Sequence, residues 1–227
     1  MSKYTIGLDL GQAQDFSAIA IVERVGDKRP FSYHLGHLQR YQLHTSYPTI
    51  VEQVTALLWR DPLPNQTTLV IDQTGVGAPV LDLFRRRRRG SPLALSPSSR
   101  RPAPSPTLDN ITASIQAIHI TSGTVVNHDK DTGVWNVPKR DLVSTAAVLL
   151  QESRLRIAKE LPEAQTLVDE LLNFQVKITD SGHDTYGAWR EGTHDDLVLA
   201  VALACWWAER TGGGSPRLLS VPFRWVG

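Results

Sequence analysis

Four aspartates set the chemistry this chain is equipped for. Asp9 closes the apolar run YTIGLD, and Asp72 closes TLVID in the same way. Asp195 and Asp196 stand side by side where a long apolar stretch begins, HDDLVLAVALACWWAE. A carboxylate at the end of a buried strand is costly unless it meets a donor, a metal or an open strand end. Taken singly, each has a plain structural reading, because an Asp at a strand end or helix start is most often a turn or cap residue. The joint placement is what points to a site. If the strands ending in Asp9 and Asp72 are parallel neighbours, their carboxylates emerge side by side at one sheet edge. A helix opened by Asp195 and Asp196 can then pack across that edge. Carboxylates gathered there repel one another unless cations hold them. Hard divalent ions with oxygen ligands, Mg²⁺ or Mn²⁺, answer that charge. Two such ions about 3.5–4 Å apart form the clamp for in-line phosphodiester hydrolysis.

The elements that must position these residues are legible from periodicity. Tyr4–Leu10 and Phe16–Val22, joined by a short Gly-containing loop, read as an antiparallel hairpin. Phe31–Tyr41 reads as a third strand. In Tyr47–Trp59 the period switches, with Ile50, Val51, Val54, Leu57 and Leu58 at helical spacing. Thr68–Asp72 has the continuous apolar character of a buried central strand. Gly75 and Gly77 make a turn, and Pro79–Phe84 opens a helix. Ile115–Thr121 is a strand, in which His119 reads as a half-exposed strand residue. The polar segment Ser122–Val137 reads as a loop or hairpin tip. Pro138–Glu152 and Pro162–Phe174 are amphipathic helices, Leu155–Ala158 is a short edge strand, and Gln175–Thr179 and Thr185–Trp189 are strands around a Ser181–Gly182 turn. Thr193–Arg210 is the strongest helix, with Thr193 as its cap and Asp195 and Asp196 complementing the dipole. Three antiparallel strands, followed by strands connected through helices and therefore parallel to the first, give a mixed α/β sheet with helices on both faces. That is the pattern of a ribonuclease H-like fold.

Composition narrows the class. The chain has 227 residues, 41% hydrophobic and 21% charged, enough to bury a core without disulfides. The one cysteine, Cys205, lies in an apolar run and reads as a buried small hydrophobe. The start, MSKYTIG, resembles no signal peptide, and the longest apolar run, Leu197–Ala208, is too short to span a bilayer. A cytosolic protein with no membrane partner is expected. The formal charge of +1 predicts no partner, but its distribution is uneven. Arg85, Arg86, Arg87, Arg88 and Arg89 form a run able to grip a DNA backbone, or equally a solvated helix end favoured by the dipole. A Pro- and Ser-rich stretch follows. Residues 1–211 are expected to form one domain, with 85–110 a basic, Pro-rich loop insertion and 212–227 a flexible tail.

The stretches IGLDLGQAQDFSAIAIV, VIDQTGVGAPVLDLF, VPKRDLVSTAAVLLQESRLRI, LVDELLNF and above all YGAWREGTHDDLVLAVALACWWAE resemble the nuclease domain of the large terminase subunit of tailed bacteriophages, in that family's order. The resemblance implies metal-dependent cleavage of double-stranded DNA. It also implies two divalent cations, a site of Asp9, Asp72 and the Asp195–Asp196 pair, and His194 and Lys139 as auxiliaries. Lys139 would neutralise a phosphate near the ions; a solvated surface lysine is the plain reading. Other terminase components, namely an ATPase, a small subunit and a portal, are the implied partners, and the cytoplasm of a phage- or prophage-bearing host is the implied setting. Large terminases carry an ATPase domain before the nuclease. This sequence holds no G-x-x-x-x-G-K-[ST] motif, so it is either an excised domain or a stand-alone relative.

Other classes share parts of the pattern. IGLDLG followed by a second strand also resembles the phosphate-binding hairpin of actin and sugar-kinase ATPases, with VIDQTGVG as the sole candidate second loop. A RuvC-type Holliday-junction resolvase shares the fold and acidic cluster. A non-catalytic nucleic-acid-binding module with structural aspartates is the blandest reading.

Overall fold

The computed structural model describes residues 2–12, 15–88, 113–178, 184–188 and 194–211. Residues 89–110 of the expected 85–110 insertion, the Ser181–Gly182 turn, the Thr193 cap and the tail 212–227 lie outside the described residues.

Three consecutive strands open the fold: β1 (Tyr4–Asp9), β2 (Ala18–Val25) and β3 (Ser32–Arg40), followed by helix α1 (Tyr47–Leu58). Ser46 caps α1 by accepting the Thr49 N–H, and Pro48 lies in its first turn, where a missing N–H costs nothing. Next come β4 (Thr67–Asp72), α2 (Gly77–Arg88), β5 (Ser114–Thr121), β6 (Asn127–His128) and β7 (Val134–Pro138). They are followed by α3 (Lys139–Gln151), β8 (Leu155–Ile157), α4 (Ala164–Asn173), β9 (Phe174–Ile178), β10 (Asp184–Ala188) and α5 (Asp196–Thr211).

Eight strands form one sheet in the order β6-β7-β5-β4-β1-β2-β3-β8, and β9 and β10 form a separate hairpin. The β1–β2 and β2–β3 pairs are antiparallel, whereas β4, β5, β7 and β8 run in the direction of β1 and β3. This is the mixed ribonuclease H-like sheet that the order of elements predicts. The segment Ser122–Val137, expected as a loop or hairpin tip, forms a hairpin in which Asn127–His128 pairs antiparallel with Trp135–Asn136, and Val134–Pro138 also adds an unexpected parallel strand beside β5. VWNVP is too short and too mixed to announce a strand by pattern. The exposed edge of β5 supplies its hydrogen bonds, and Val137 is buried against Leu142, Ala146 and Trp206.

Strand alternation assigns each face. Ile6, Leu8, Leu69 and Ile71 point to one side, where α1 and α2 pack with Val51, Val54, Val80 and Phe84. Gly7, Asp9, Val70 and Asp72 occupy the alternate positions and face α5. Twelve of the sixteen residues of α5 are buried, which is why its apolar residues run all round the helix rather than along a stripe. The helix lies directly on β1. A β-carbon at position 7 would come 2.0 Å from the Ala200 carbonyl oxygen, so only glycine permits this approach. Both ends of α5 are tied to the rest of the fold by arginine–carboxylate contacts, Arg40 with Asp196 and Arg154 with Glu209.

Candidate metal centre

The register of the sheet brings the first two aspartates together. In the parallel β1–β4 pair, Leu8 lies opposite Ile71, and continuing one residue sets Asp9 beside Asp72. Asp9 also pairs with Ala18, and Ala18 with Arg40, so Asp72, Asp9, Ala18 and Arg40 form one row across the sheet. The row lies at the carboxyl ends of β1, β3 and β4, the edge at which open α/β sheets bind ligands. α5 begins over this row. Asp195 accepts the Leu199 N–H through its backbone carbonyl, which makes it the residue from which the helix starts, and Asp196 is the first helical residue.

Each carboxylate has a different environment. Asp9 is buried, and among the described residues no hydrogen-bond donor meets its side chain. Burial pushes its carboxyl well above the usual range, and the charges of Asp72, Asp195 and Asp196 push it the same way. Asp72 is also buried and raised by burial, but Thr74 opposes the shift. The Thr74 N–H and hydroxyl both donate to Asp72 Oδ1, at 2.8 and 2.6 Å. The same hydroxyl accepts the Ile120 N–H at 2.8 Å, so β5 fixes the orientation of Asp72 through Thr74. A β-carbon at Gly77 would lie 2.1 Å from the Asp72 carbonyl oxygen, so the turn after β4 needs glycine there to fold α2 back so tightly.

Asp195 is paired with Lys139, whose Nζ stands 2.6 Å from Oδ2. The β7 strand explains this contact, because it carries the chain to the same edge and α3 starts there with Lys139 as its first residue. The positive charge of Lys139 also lowers the Asp9 and Asp72 carboxyls, against the larger upward push of burial. Lys139 pairs with Asp195 alone, and its charge reaches Asp9 and Asp72 without contact.

Asp196 faces elsewhere. Arg40 grips it with two hydrogen bonds, Nε to Oδ2 at 2.8 Å and Nη2 to Oδ1 at 3.2 Å. Arg40 also bridges to Glu170 of α4, and Glu170 Oε2 accepts the Val198 N–H at 3.2 Å in the first turn of α5. Burial raises the Asp196 carboxyl while Arg40 lowers it. Glu170 is pushed to about 7, by burial first and then by the Asp196 charge, with Arg40 opposing. Phe16 closes this corner, with the Arg40 guanidinium over its ring and His194 packed edge-on at 4.7 Å.

The structure therefore sets Asp9, Asp72, Asp195 and Lys139 at one sheet edge, turns Asp196 to Arg40 beside them, and seats His194 against Phe16. It does not bring Arg85 or Arg86 to them, and Arg89 lies outside the described residues. Gly77, where α2 starts, lies against Asp72, and α2 then runs back along the opposite face of the sheet. At 1.5 Å per residue, Arg85 and Arg86 stand roughly 12–14 Å along α2 from Gly77. Arg85 and Arg86 are exposed, and Arg85 lies 3.8 Å from Asp82. Arg40, Glu170 and Thr74 escaped sequence reasoning. Of these only Thr74 left a local signal, the Asp-x-Thr spacing of a side-chain turn.

The donor set fits a hard divalent cation in kind: oxygen-only ligands, with excess negative charge at Asp9. The side chains are not at ligand spacing, however. Among the described residues no group of three or more His, Cys, Asp or Glu is close enough to hold an ion. Asp195, engaged with Lys139, is the member turned to another partner.

No family model matches the chain. The terminase large subunit of Thermus phage G20c is 36% identical over 66 residues, which is 29% of this chain and 13% of that protein. The match thus spans a small part of the relative's length. Among solved structures, the large terminase nuclease of phage G20c superimposes with a TM-score of 0.56 at 21% identity, covering 88% of this chain and 80% of that one. The large terminase nuclease domain of Thermus phage P74-26 gives 0.53 at 20% identity, covering 92% and 80%. That of phage P22 gives 0.51 at 13% identity, covering 91% and 81%. The fold of this chain is that of the large-terminase nuclease domains, a ribonuclease H-like fold.

Proposed function

We propose that the chain is a metal-dependent endonuclease that cuts double-stranded DNA with little sequence preference, as the nuclease part of a phage DNA-packaging terminase. The observation that carries the reading is the row formed by Asp9 and Asp72 at the carboxyl ends of β1 and β4, with Asp195 and its partner Lys139 at the start of the helix that packs over it. The similar domains of phages G20c and SPP1 have been solved with bound magnesium and with bound manganese. Asp9, Asp72 and Asp195 would hold the ions here, with two ions as the working number. When bound, such ions polarise an attacking water and stabilise the leaving oxygen of a phosphodiester.

The chain's own residues supply the rest. Asp72 is held in a fixed rotamer by Thr74. Asp9 has no donor among the described residues, so its lone pairs stay open to a ligand. Lys139 balances Asp195 and, were that carboxylate to hold an ion, would be free to meet a phosphate oxygen. His194 is held by Phe16 near the start of α5, close enough for its charge to lower the Asp196 carboxyl. None of these groups reads base edges, and no helix-turn-helix is present among the described residues, which supports cleavage governed by backbone contacts.

Digestion of supercoiled plasmid with Mg²⁺, Mn²⁺ or EDTA, beside an Asp9→Asn control, tests the reading. Nicking and linearisation with either ion are expected, with none in EDTA or in the variant. Preference for four-way junctions over linear duplex would move the protein to the resolvase class. ATP turnover without DNA cleavage would overturn the nuclease reading.

A further inference from the structure

Arg40 is the most heavily engaged cation near the site, and the proposed chemistry gives it no task. Its guanidinium is largely buried at the end of β3. It makes a two-bond fork onto Asp196, bridges to Glu170 and lies over Phe16. The carboxylates it joins come from different helices, Asp196 from α5 and Glu170 from α4. Glu170 in turn accepts the Val198 N–H, one of the donors in the first turn of α5 that have no partner within the helix. The first turn of α5 is thus fastened from outside the helix, through Asp196 and through the Val198 amide.

We infer that Arg40 is a positioning residue for the metal centre, and that Asp196 is its anchor rather than a metal ligand. Successive residues at a helix start point in directions about 100° apart. While Asp196 is turned to β3, Asp195 is necessarily turned away from it, and there it meets Lys139 over Asp9 and Asp72. An arginine fork fixes its partner in angle as well as distance, which a lysine does not. Asp196 directs both carboxylate oxygens at the fork, so a role as a fourth ligand would have to use their remaining lone pairs while the carboxylate stays turned to β3. This inference rests on the metal-site reading above, and deepens it by separating two adjacent aspartates by task.

Calorimetric titration with Mn²⁺ tests it, using wild type, Asp195→Asn, Asp196→Asn, Arg40→Met and the neutral triple variant Arg40→Met/Asp196→Asn/Glu170→Gln. The triple variant keeps the test open if Arg40→Met, which strands two buried carboxylates, does not fold. Asp195→Asn is expected to lose binding. Asp196→Asn, whose amide oxygen still accepts from Arg40, is expected to keep the wild-type number of bound ions. Arg40→Met and the triple variant are expected to bind roughly 10- to 100-fold more weakly, the usual loss when a group orienting a metal ligand is removed. Arg40→Lys should recover only part of that affinity. If Asp196→Asn takes up fewer ions while Arg40→Met binds as wild type does, Asp196 is a ligand and the inference is wrong. Equal affinity in wild type and the triple variant also overturns it, leaving the metal site intact. A wild-type chain that takes up no Mn²⁺ refutes the metal site itself, and the positioning role with it.

Discussion

The carbonyl of Ala200 rests on the α-carbon of Gly7, closer than any side chain at position 7 would allow. This approach sets the height of α5 above β1, and Asp9 lies two residues further along the same face of β1. The distance between Asp9 and Asp195 is therefore controlled by a glycine that carries no functional group.

Gly7→Ala should lift the helix. Overpacking of this kind costs about 1–3 kcal/mol, and backbone rather than a flexible side chain is what blocks the methyl group. A lower melting temperature is expected, together with a larger fractional loss of nuclease activity than the loss of folded protein explains. Thermal melts and plasmid cleavage on the same preparation separate the two. Full activity in a destabilised variant would show that helix height does not govern the site.

Asp9→Asn and Asp196→Asn should have opposite effects on the metal-free protein. Burial and the neighbouring Asp72, Asp195 and Asp196 disfavour the charged form of Asp9, so its neutralisation should leave stability in EDTA level or higher. Asp196 is the partner of Arg40, and weakening a buried ion pair from one side is destabilising. Divalent ions should raise the wild-type melting temperature by linkage, and should fail to raise that of Asp9→Asn. Melts with EDTA and with Mn²⁺ provide both comparisons.

Metal-free stability should fall as pH rises from about 4.5 towards about 7. Glu170 is raised to about 7 in the fold, and Asp9 and Asp72 are raised as well. An acid whose folded value lies above its unfolded value binds more protons when folded. Its contribution is complete below the unfolded value and is lost as pH climbs through the folded one. Denaturant titrations in EDTA across that range should show the decline. Glu170→Gln should flatten it. A slope that is level, or that rises with pH, would contradict the burial assigned to these groups.

The arginine run should affect DNA binding without affecting the ions. Arg85 and Arg86 are exposed at the far end of α2, on the face of the sheet away from α5. Replacing them with Ala should reduce the salt dependence of duplex binding by about 0.9 of a log-log unit for each phosphate that is no longer neutralised. Mn²⁺ affinity should stay at the wild-type value. An unchanged salt slope would leave the run as a solvated helix end.

Local pattern determines much of this protein. Alternation ending in Asp9 and a continuous apolar run ending in Asp72 place both aspartates at strand ends, and the helix-connected order of the later strands makes β1 and β4 parallel. An apolar helix with no polar stripe, Asp196–Thr211, has to be central. Those features depend on neighbours a few residues apart, which a sequence displays. The division of labour between Asp195 and Asp196 does not. It depends on Arg40, which reaches Asp196 across 156 residues of chain and Glu170 across 130. The pairing of Lys139 with Asp195 likewise spans 56 residues, and relies on a strand, Val134–Pro138, that exists because the edge of β5 is there to receive it. Two identical side chains in succession carry no sign of which way each will point. That choice is made by the partners that packing brings to each side of the helix.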